Sequence, residues 1–176
     1  DHNKKYIAGI KFNGEINDAL ADDIIEKLEY ARDDKNALGI LLEVNSPGGS
    51  VVPSQEIYDK VIEVTHKKPV VSYVREVAAS GAYYSISPSS QIIANRGSMI
   101  GSIGVIMQGF DATELVKFFK VNSFTIKTGA LKDTGSPLRP MTKEDKNYLQ
   151  SMINATHDQF VADVKRARSS MTKDGF

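Results

Sequence analysis

Apolar residues recur along this chain with two different periods, and each change of period marks an element. Tyr6 to Phe12 is a short, β-rich apolar run that predicts a strand. From Asn17 the period lengthens. Leu20, Ile24, Leu28 and Ala31 make one helical stripe ending near Asp33, with Asn17 as the expected cap and Asp18, Asp22 and Asp23 where the helix dipole favours acids. Leu38 to Val44 is almost wholly apolar, as a strand covered on both faces would be. Ile57, Val61 and Val64 mark a second helix that stops near Lys67-Lys68-Pro69, and Val70 to Val74 is a third strand. Ser80 opens a short helix, and Gln91 to Ala94 is a fourth strand. Gly97, Gly101 and Gly104 then punctuate a tight segment leading to a strand at Ile103 to Met107. Ala112 to Lys120 is expected to be helical, Ser123 to Lys127 extended, and 128–141 a loop. Thr142 and Asp145 form a capping box for a terminal helix with Leu149, Ile153, Phe160 and Val164 on its inner face. Strands alternating with helices predict an α/β fold with a largely parallel sheet.

Composition narrows this picture. With 176 residues, 41% of them hydrophobic, the chain can bury one core, and a single domain over residues 1–176 is expected. Basic and acidic residues balance at 22 each, so no global field points to nucleic acid. There is no cysteine, which excludes thiol catalysis, disulfides and cysteine-based metal sites. The longest apolar runs, such as Gly39 to Val44, fall far short of the about 20 residues that span a bilayer. The opening Asp1-His2-Asn3-Lys4-Lys5 shows no secretory signal.

Two glycine-containing turns carry the candidate chemistry: Asn45-Ser46-Pro47-Gly48-Gly49-Ser50 and Ala78-Ala79-Ser80-Gly81-Ala82. Each follows an apolar strand and leads into a helix. A serine exposed at such a turn is well placed as a nucleophile, and N–H groups at a helix start have no intrahelical partner. Gly81 and the Gly48-Gly49 turn are the expected oxyanion donors. The same Ala-Ala-Ser-Gly-Ala string also suits a close helix crossing, so spacing alone leaves both readings open.

The proton acceptor is harder to find. His2 sits at the terminus, His66 at a helix end beside Lys67-Lys68, and His157 within the terminal helix. None follows Ser80 in the same compact segment. A lysine can serve if it is neutral, and burial lowers its pKa by penalising the charged form. Lys132 lies in a Gly- and Pro-containing loop among small and apolar residues beside Asp133, with Lys127 as its competitor. A solvated surface charge is the alternative for either.

The segments Asn45-Ser46-Pro47-Gly48-Gly49-Ser50, Ala79-Ser80-Gly81-Ala82-Tyr83-Tyr84, Gly101-Ser102-Ile103-Gly104-Val105 and Lys127-Thr128-Gly129-Ala130-Leu131-Lys132-Asp133 together resemble the bacterial signal peptide peptidase A family. The resemblance runs from about residue 5 to about residue 165 and implies a Clp protease/crotonase-like fold. It also implies a Ser/Lys dyad: Ser80 as nucleophile, Lys132 as general base, Ser102 as the hydroxyl that orients the amine, and Gly49 and Gly81 at the oxyanion hole. The Clp subunit places a histidine about 25 residues after its serine, where this chain has Val105, and this favours the lysine arrangement. The family implies an extracytoplasmic catalytic domain on an N-terminal membrane anchor absent from this chain. It further implies a single-repeat protomer in a ring or dome, no cofactor, no metal, and cleaved signal peptides as substrates. Gly48, Val51, Val52, Ile100 and Ile103 are candidates for lining an apolar substrate cleft. The competing expectations are a crotonase-like enzyme acting on an acyl thioester and a non-catalytic ring scaffold for membrane partners.

Overall fold

The computed structural model describes residues 4–169, and His2 lies outside them. The chain divides into two compact units, one formed by the residues up to Gly104 together with those from Gln159 onward, the other by Val105–Asp158.

The first unit is a parallel sheet with helices on one face. Its elements follow in the order β1 (Tyr6–Asn13), α1 (Asp18–Asp33), β2 (Ala37–Ser46), α2 (Val51–Thr65), β3 (Val70–Ala79), α3 (Gly81–Ile86), β4 (Gln91–Ala94) and β5 (Met99–Gly101). The strands lie in the order β1-β2-β3-β4, and β5 also pairs with β3, beyond the end of β4. Asn17 caps α1 as expected, its Oδ1 accepting the Leu20 N–H at 2.9 Å. Ile24, Leu28, Ile57, Val61 and Val64 pack from α1 and α2 onto Ile10, Phe12, Leu42, Val44 and Val74 of the sheet.

The second face of the sheet departs from expectation. In β2 buried Ile40 and Leu42 flank an exposed Leu41, and Leu38 is exposed as well. The cause is topological. Strands β1, β2 and β3 are added in one direction, and right-handed crossovers then deliver every connecting helix to the same side. An unbroken apolar run therefore does not imply two covered faces here.

The strand expected at Ile103 to Met107 lies earlier, at Met99–Gly101. It stops because positive-φ Gly101 (φ 108°), the last residue paired, is followed directly by positive-φ Ser102 (φ 55°), and two such residues in a row turn the chain out of the extended conformation. No strand is formed at residues 123–127, and α4 covers only Thr113–Phe118.

The terminal helix α5 (Lys143–Arg168) opens in the second unit and closes in the first. Its capping box is reciprocal: Asp145 N–H donates to Thr142 Oγ1 at 3.0 Å, and Thr142 N–H to Asp145 Oδ2 at 2.9 Å. The Asp145 side chain is only 1% exposed and receives Arg139 Nη1 and Nη2 at 2.5 and 3.0 Å. The Arg139 guanidinium, then the Thr142 N–H and the Thr134 hydroxyl, hold this carboxyl well below the usual carboxylate range. A depressed folded pKa stabilises the fold above the unfolded value near ~3.9, and that stabilisation is lost as pH falls through the folded value. In urea unfolding, Asp145→Asn is expected to be less stable than the wild type at neutral pH. The difference should shrink as acid protonates Asp145; a difference unchanged by acid would contradict this role.

Candidate functional site

Two backbone turns meet at the carboxyl ends of β2 and β3. The first begins at Ser46, whose Oγ accepts the Gly48 N–H at 3.2 Å. Ile16 pins it from both sides, donating its N–H to Gly48 O at 2.9 Å and accepting the Ser50 N–H at 2.9 Å. This bridge uses the groups flanking Gly49 and leaves the Gly49 N–H out of it.

The second turn is Ser80, between β3 and α3. Its backbone is φ 52°, ψ −123°, a conformation that costs a residue with a Cβ about 1–3 kcal/mol. Strained strand-to-helix elbows of this kind lift a serine hydroxyl clear of the sheet. Hydrogen bonds on both sides hold the elbow: Ser80 N–H donates to Gly101 O at 2.8 Å, and Ser80 O accepts the Tyr84 N–H at 3.0 Å. The Ser80 hydroxyl does not cap α3, and the residue is half-buried.

No side chain fits between the turns. A Cβ on Gly48 would lie 2.7 Å from Ala79 O and 2.9 Å from Gly81 N. A Cβ on Gly81 would lie 2.3 Å from Ser54 Oγ and 3.5 Å from Gly49 N. The Gly48-Gly49 turn therefore lies directly against the backbone at Ala79, Ser80 and Gly81. As the first residue of α3, Gly81 has no intrahelical acceptor for its N–H. Two such donors beside a serine are what a developing oxyanion requires.

Helix α3 is fastened from behind. Ser85 Oγ bonds Ser54 O at 3.0 Å, and the Tyr84 hydroxyl donates to Asp163 Oδ2 at 2.7 Å. Tyr84 stacks on Tyr58 at 4.7 Å and meets the edge of Phe160 at 4.8 Å. Burial, then the Asp163 carboxylate, pushes the Tyr84 phenol far above its usual value, so it remains a donor.

Ser102 follows directly on Gly101, which is paired with Ala79, so the backbone brings it alongside Ser80; it is exposed. Val51, Val52, Ile100 and Ile103 are all exposed apolar residues of the same unit, flanking the two turns in sequence or register. Lys132 belongs to the second unit, where its N–H closes a turn to Gly129 O at 3.2 Å and its side chain is exposed. Its competitor Lys127 is committed, with Nζ at 2.7 Å from Asp133 Oδ1 and 2.9 Å from Ala130 O. Of the histidines, His66 is the C-cap of α2 and His157 lies 3.9 Å from Asp158. Among the described residues there is no cluster of acids and histidines able to hold a metal.

Sequence reasoning missed Ile16 and Ser54 as parts of this site and gave Gly101 no role beyond its motif. Ile16 acts through its backbone, which side-chain identity does not report. The Gly101 carbonyl contact depends on β5 pairing with β3, and that strand was expected elsewhere.

The chain is similar to several proteins of known family. A family model described as Peptidase family S49 matches residues 62–175, and one described as Clp protease matches residues 6–91. A protein named as a candidate protease in Methanocaldococcus jannaschii is 48% identical over 144 residues, 82% of this chain and 46% of that protein. A protein named as a candidate signal peptide peptidase SppA in Enterococcus faecium is 33% identical over 182 residues, 97% of this chain and 53% of that protein. Protease 4 of Haemophilus influenzae is 32% identical over 166 residues, 92% of this chain and 27% of that protein. The chain thus spans about half or less of the length of these relatives, and they include an archaeal protein as well as bacterial ones.

The Ile16 bridge predicts an asymmetry between glycines. A Cβ on Gly49 would lie 2.2 Å from Ile16 O and 2.6 Å from Ile16 N, both immobile backbone atoms, whereas one on Gly9 would meet nothing within 4 Å. Gly49→Ala should lower the urea midpoint clearly, and Gly9→Ala should leave it within about 0.5 kcal/mol of wild type. Equal stability of the two variants would mean the first turn does not lie against the Ile16 backbone as described.

Proposed function

This chain belongs to peptidase family S49, and from that premise we propose that it is the catalytic part of a serine endopeptidase with a Ser80/Lys132 dyad. The observation that carries the reading is the strained Ser80 elbow with the Gly49 and Gly81 amides packed beside it. Ser80 Oγ attacks the scissile carbonyl, and its proton passes to the neutral amine of Lys132. The carbonyl oxygen becomes an oxyanion, held by the two glycine N–H groups. The protonated amine then delivers its proton to the leaving nitrogen, and water repeats the cycle to release the acyl group. Ser102 orients the amine without adding charge. The Lys127 amine is already bonded to Asp133 Oδ1 and Ala130 O and so is the less available partner.

The proposed substrates are apolar, extended peptides such as cleaved signal peptides, for which exposed Val51, Val52, Ile100 and Ile103 offer apolar contact. The proposed setting is the outer side of a membrane. No described helix is long and apolar enough to cross one.

We also propose that the protein works as a homo-oligomer. Ile106, Phe110, Phe118, Phe124 and Ile126 of the second unit are each more than three-quarters exposed, and α4 buries no residue. Large apolar side chains left exposed in this number support an association face. A neighbouring copy would also supply the burial that an exposed Lys132 needs to lose its proton near neutral pH.

Peptide hydrolysis by wild type, Ser80→Ala and Lys132→Ala tests the dyad. Both variants should lose roughly 10³-fold or more, since nucleophile and base act as one unit. In the wild type kcat/KM should rise with pH along one ionisation below the free-lysine value of ~10.4. Lys132→Arg should be as inactive as Lys132→Ala, because a guanidinium keeps its proton. Normal turnover by folded Ser80→Ala, or an acidic optimum, would sink the dyad. For the assembly, light scattering on active protein should show a closed oligomer, and Phe124→Ser with Ile126→Ser should yield inactive monomer. A fully active monomer would contradict it.

A further inference from the structure

The loop that carries Lys132 is closed by a four-charge network that leaves the lysine itself outside. Asp133, its immediate neighbour, has Oδ1 at 2.7 Å from Lys127 Nζ and 2.8 Å from Arg139 Nη2, and Oδ2 at 3.0 Å from Arg139 Nε. The same guanidinium reaches Asp145 through Nη1 and Nη2. Thr134 Oγ1 adds a bond to Asp145 Oδ1 at 2.7 Å. Arg139 thus bridges two carboxylates, one beside the lysine and one at the first turn of α5. The Asp133 side chain is 13% exposed and its ion-pair partners Arg139 and Lys127 are 26% and 31% exposed, so solvent screens the cluster only in part. Two cations, Lys127 and Arg139, balance two anions, Asp133 and Asp145.

A lone carboxylate one residue from a general-base lysine would oppose its function. It would favour the ammonium form and raise the pH at which the amine becomes free. Instead, both oxygens of Asp133 are turned to Arg139 and Lys127, and Lys132 lies in the turn between them with its side chain exposed. We propose that Arg139 is a positioning residue for Lys132: by engaging Asp133 it keeps the adjacent carboxylate from holding the catalytic amine in its charged form. This rests on the reading of Lys132 as the base. The charged groups packed on the turn are Lys127 from before it, Asp133 within it, Arg139 from after it and Asp145 from α5. The network also fixes both ends of the loop, so a purely structural role must be separated from an electrostatic one.

Opposite charge changes separate them. Arg139→Gln removes a positive charge and releases Asp133, so the alkaline limb of kcat/KM should move up by about half a pH unit at low ionic strength. Asp133→Asn removes a negative charge and should move the limb down by a similar amount. The double variant should return it towards wild type, and Arg139→Lys should lie between Arg139→Gln and wild type. Raising the salt concentration should shrink both shifts. Each variant is checked for native circular dichroism and assembly before the profile is measured. Loosening of the loop alone would lower the maximal rate of both single variants without opposed limb shifts, and that result overturns the proposal. Lys132→Ala is run alongside. If it retains hydrolysis, the base assignment itself is wrong. If it is inactive while the two limbs fail to part, only the role of Arg139 falls.

Discussion

The candidate site depends on a contact that tolerates no side chain. The Gly48-Gly49 turn lies against Ser80 and Gly81 so closely that an added Cβ at Gly48 or Gly81 would overlap backbone or the Ser54 hydroxyl. Glycine at these positions is a steric requirement, and it has a chemical consequence. With no side chain between them, the two amides can stand beside one serine. The serine in turn accepts a left-handed backbone because Gly101 O and Tyr84 N–H bond it from either side. Strain at Ser80 is thus offset by ordinary hydrogen bonds and by the buried Tyr58, Tyr84 and Phe160 cluster behind α3.

The fold explains why the turns meet. Parallel strands end together, and right-handed crossovers place α1 and α2 on one face, so the loops leaving β2 and β3 emerge side by side. The sheet then changes partner along β3, from β4 at Val71–Val74 to β5 at Val77–Ala79. That change brings Gly101 and Ser102 to the strand end occupied by Ser80. The second unit is organised differently. Its polar order comes from Arg139 and two carboxylates, while many of its large apolar side chains are exposed.

Much of this was legible in the chain. Local signals were reliable: the Asn17 cap, the Thr142/Asp145 box, the stripes of α1 and α2, and the Ser80 turn all followed from short-range chemistry. What failed was decided at long range. The apolar run of β2 could not say that one face would stay open, because that depends on crossover direction. The β5 strand was displaced because left-handed Gly101 and Ser102 end it, and backbone sign is weakly encoded at a serine. The Ile16 bridge and the Arg139 bidentate pairs join residues whose side chains advertise neither role. Loop context made Lys132 a candidate base beside its competitor Lys127, and only the resemblance of the motif surrounding Lys132 chose between them. Its exposed side chain shows that the burial expected of a neutral lysine does not come from its own loop.

The most direct test of the Ser80 assignment is covalent. A fluorophosphonate should react once per chain, and peptide mapping by mass spectrometry should find the adduct on Ser80. Labelling should rise with pH in the wild type and be nearly absent in Lys132→Ala. An adduct on any other residue, or full labelling of Ser80 in the absence of Lys132, would contradict the dyad.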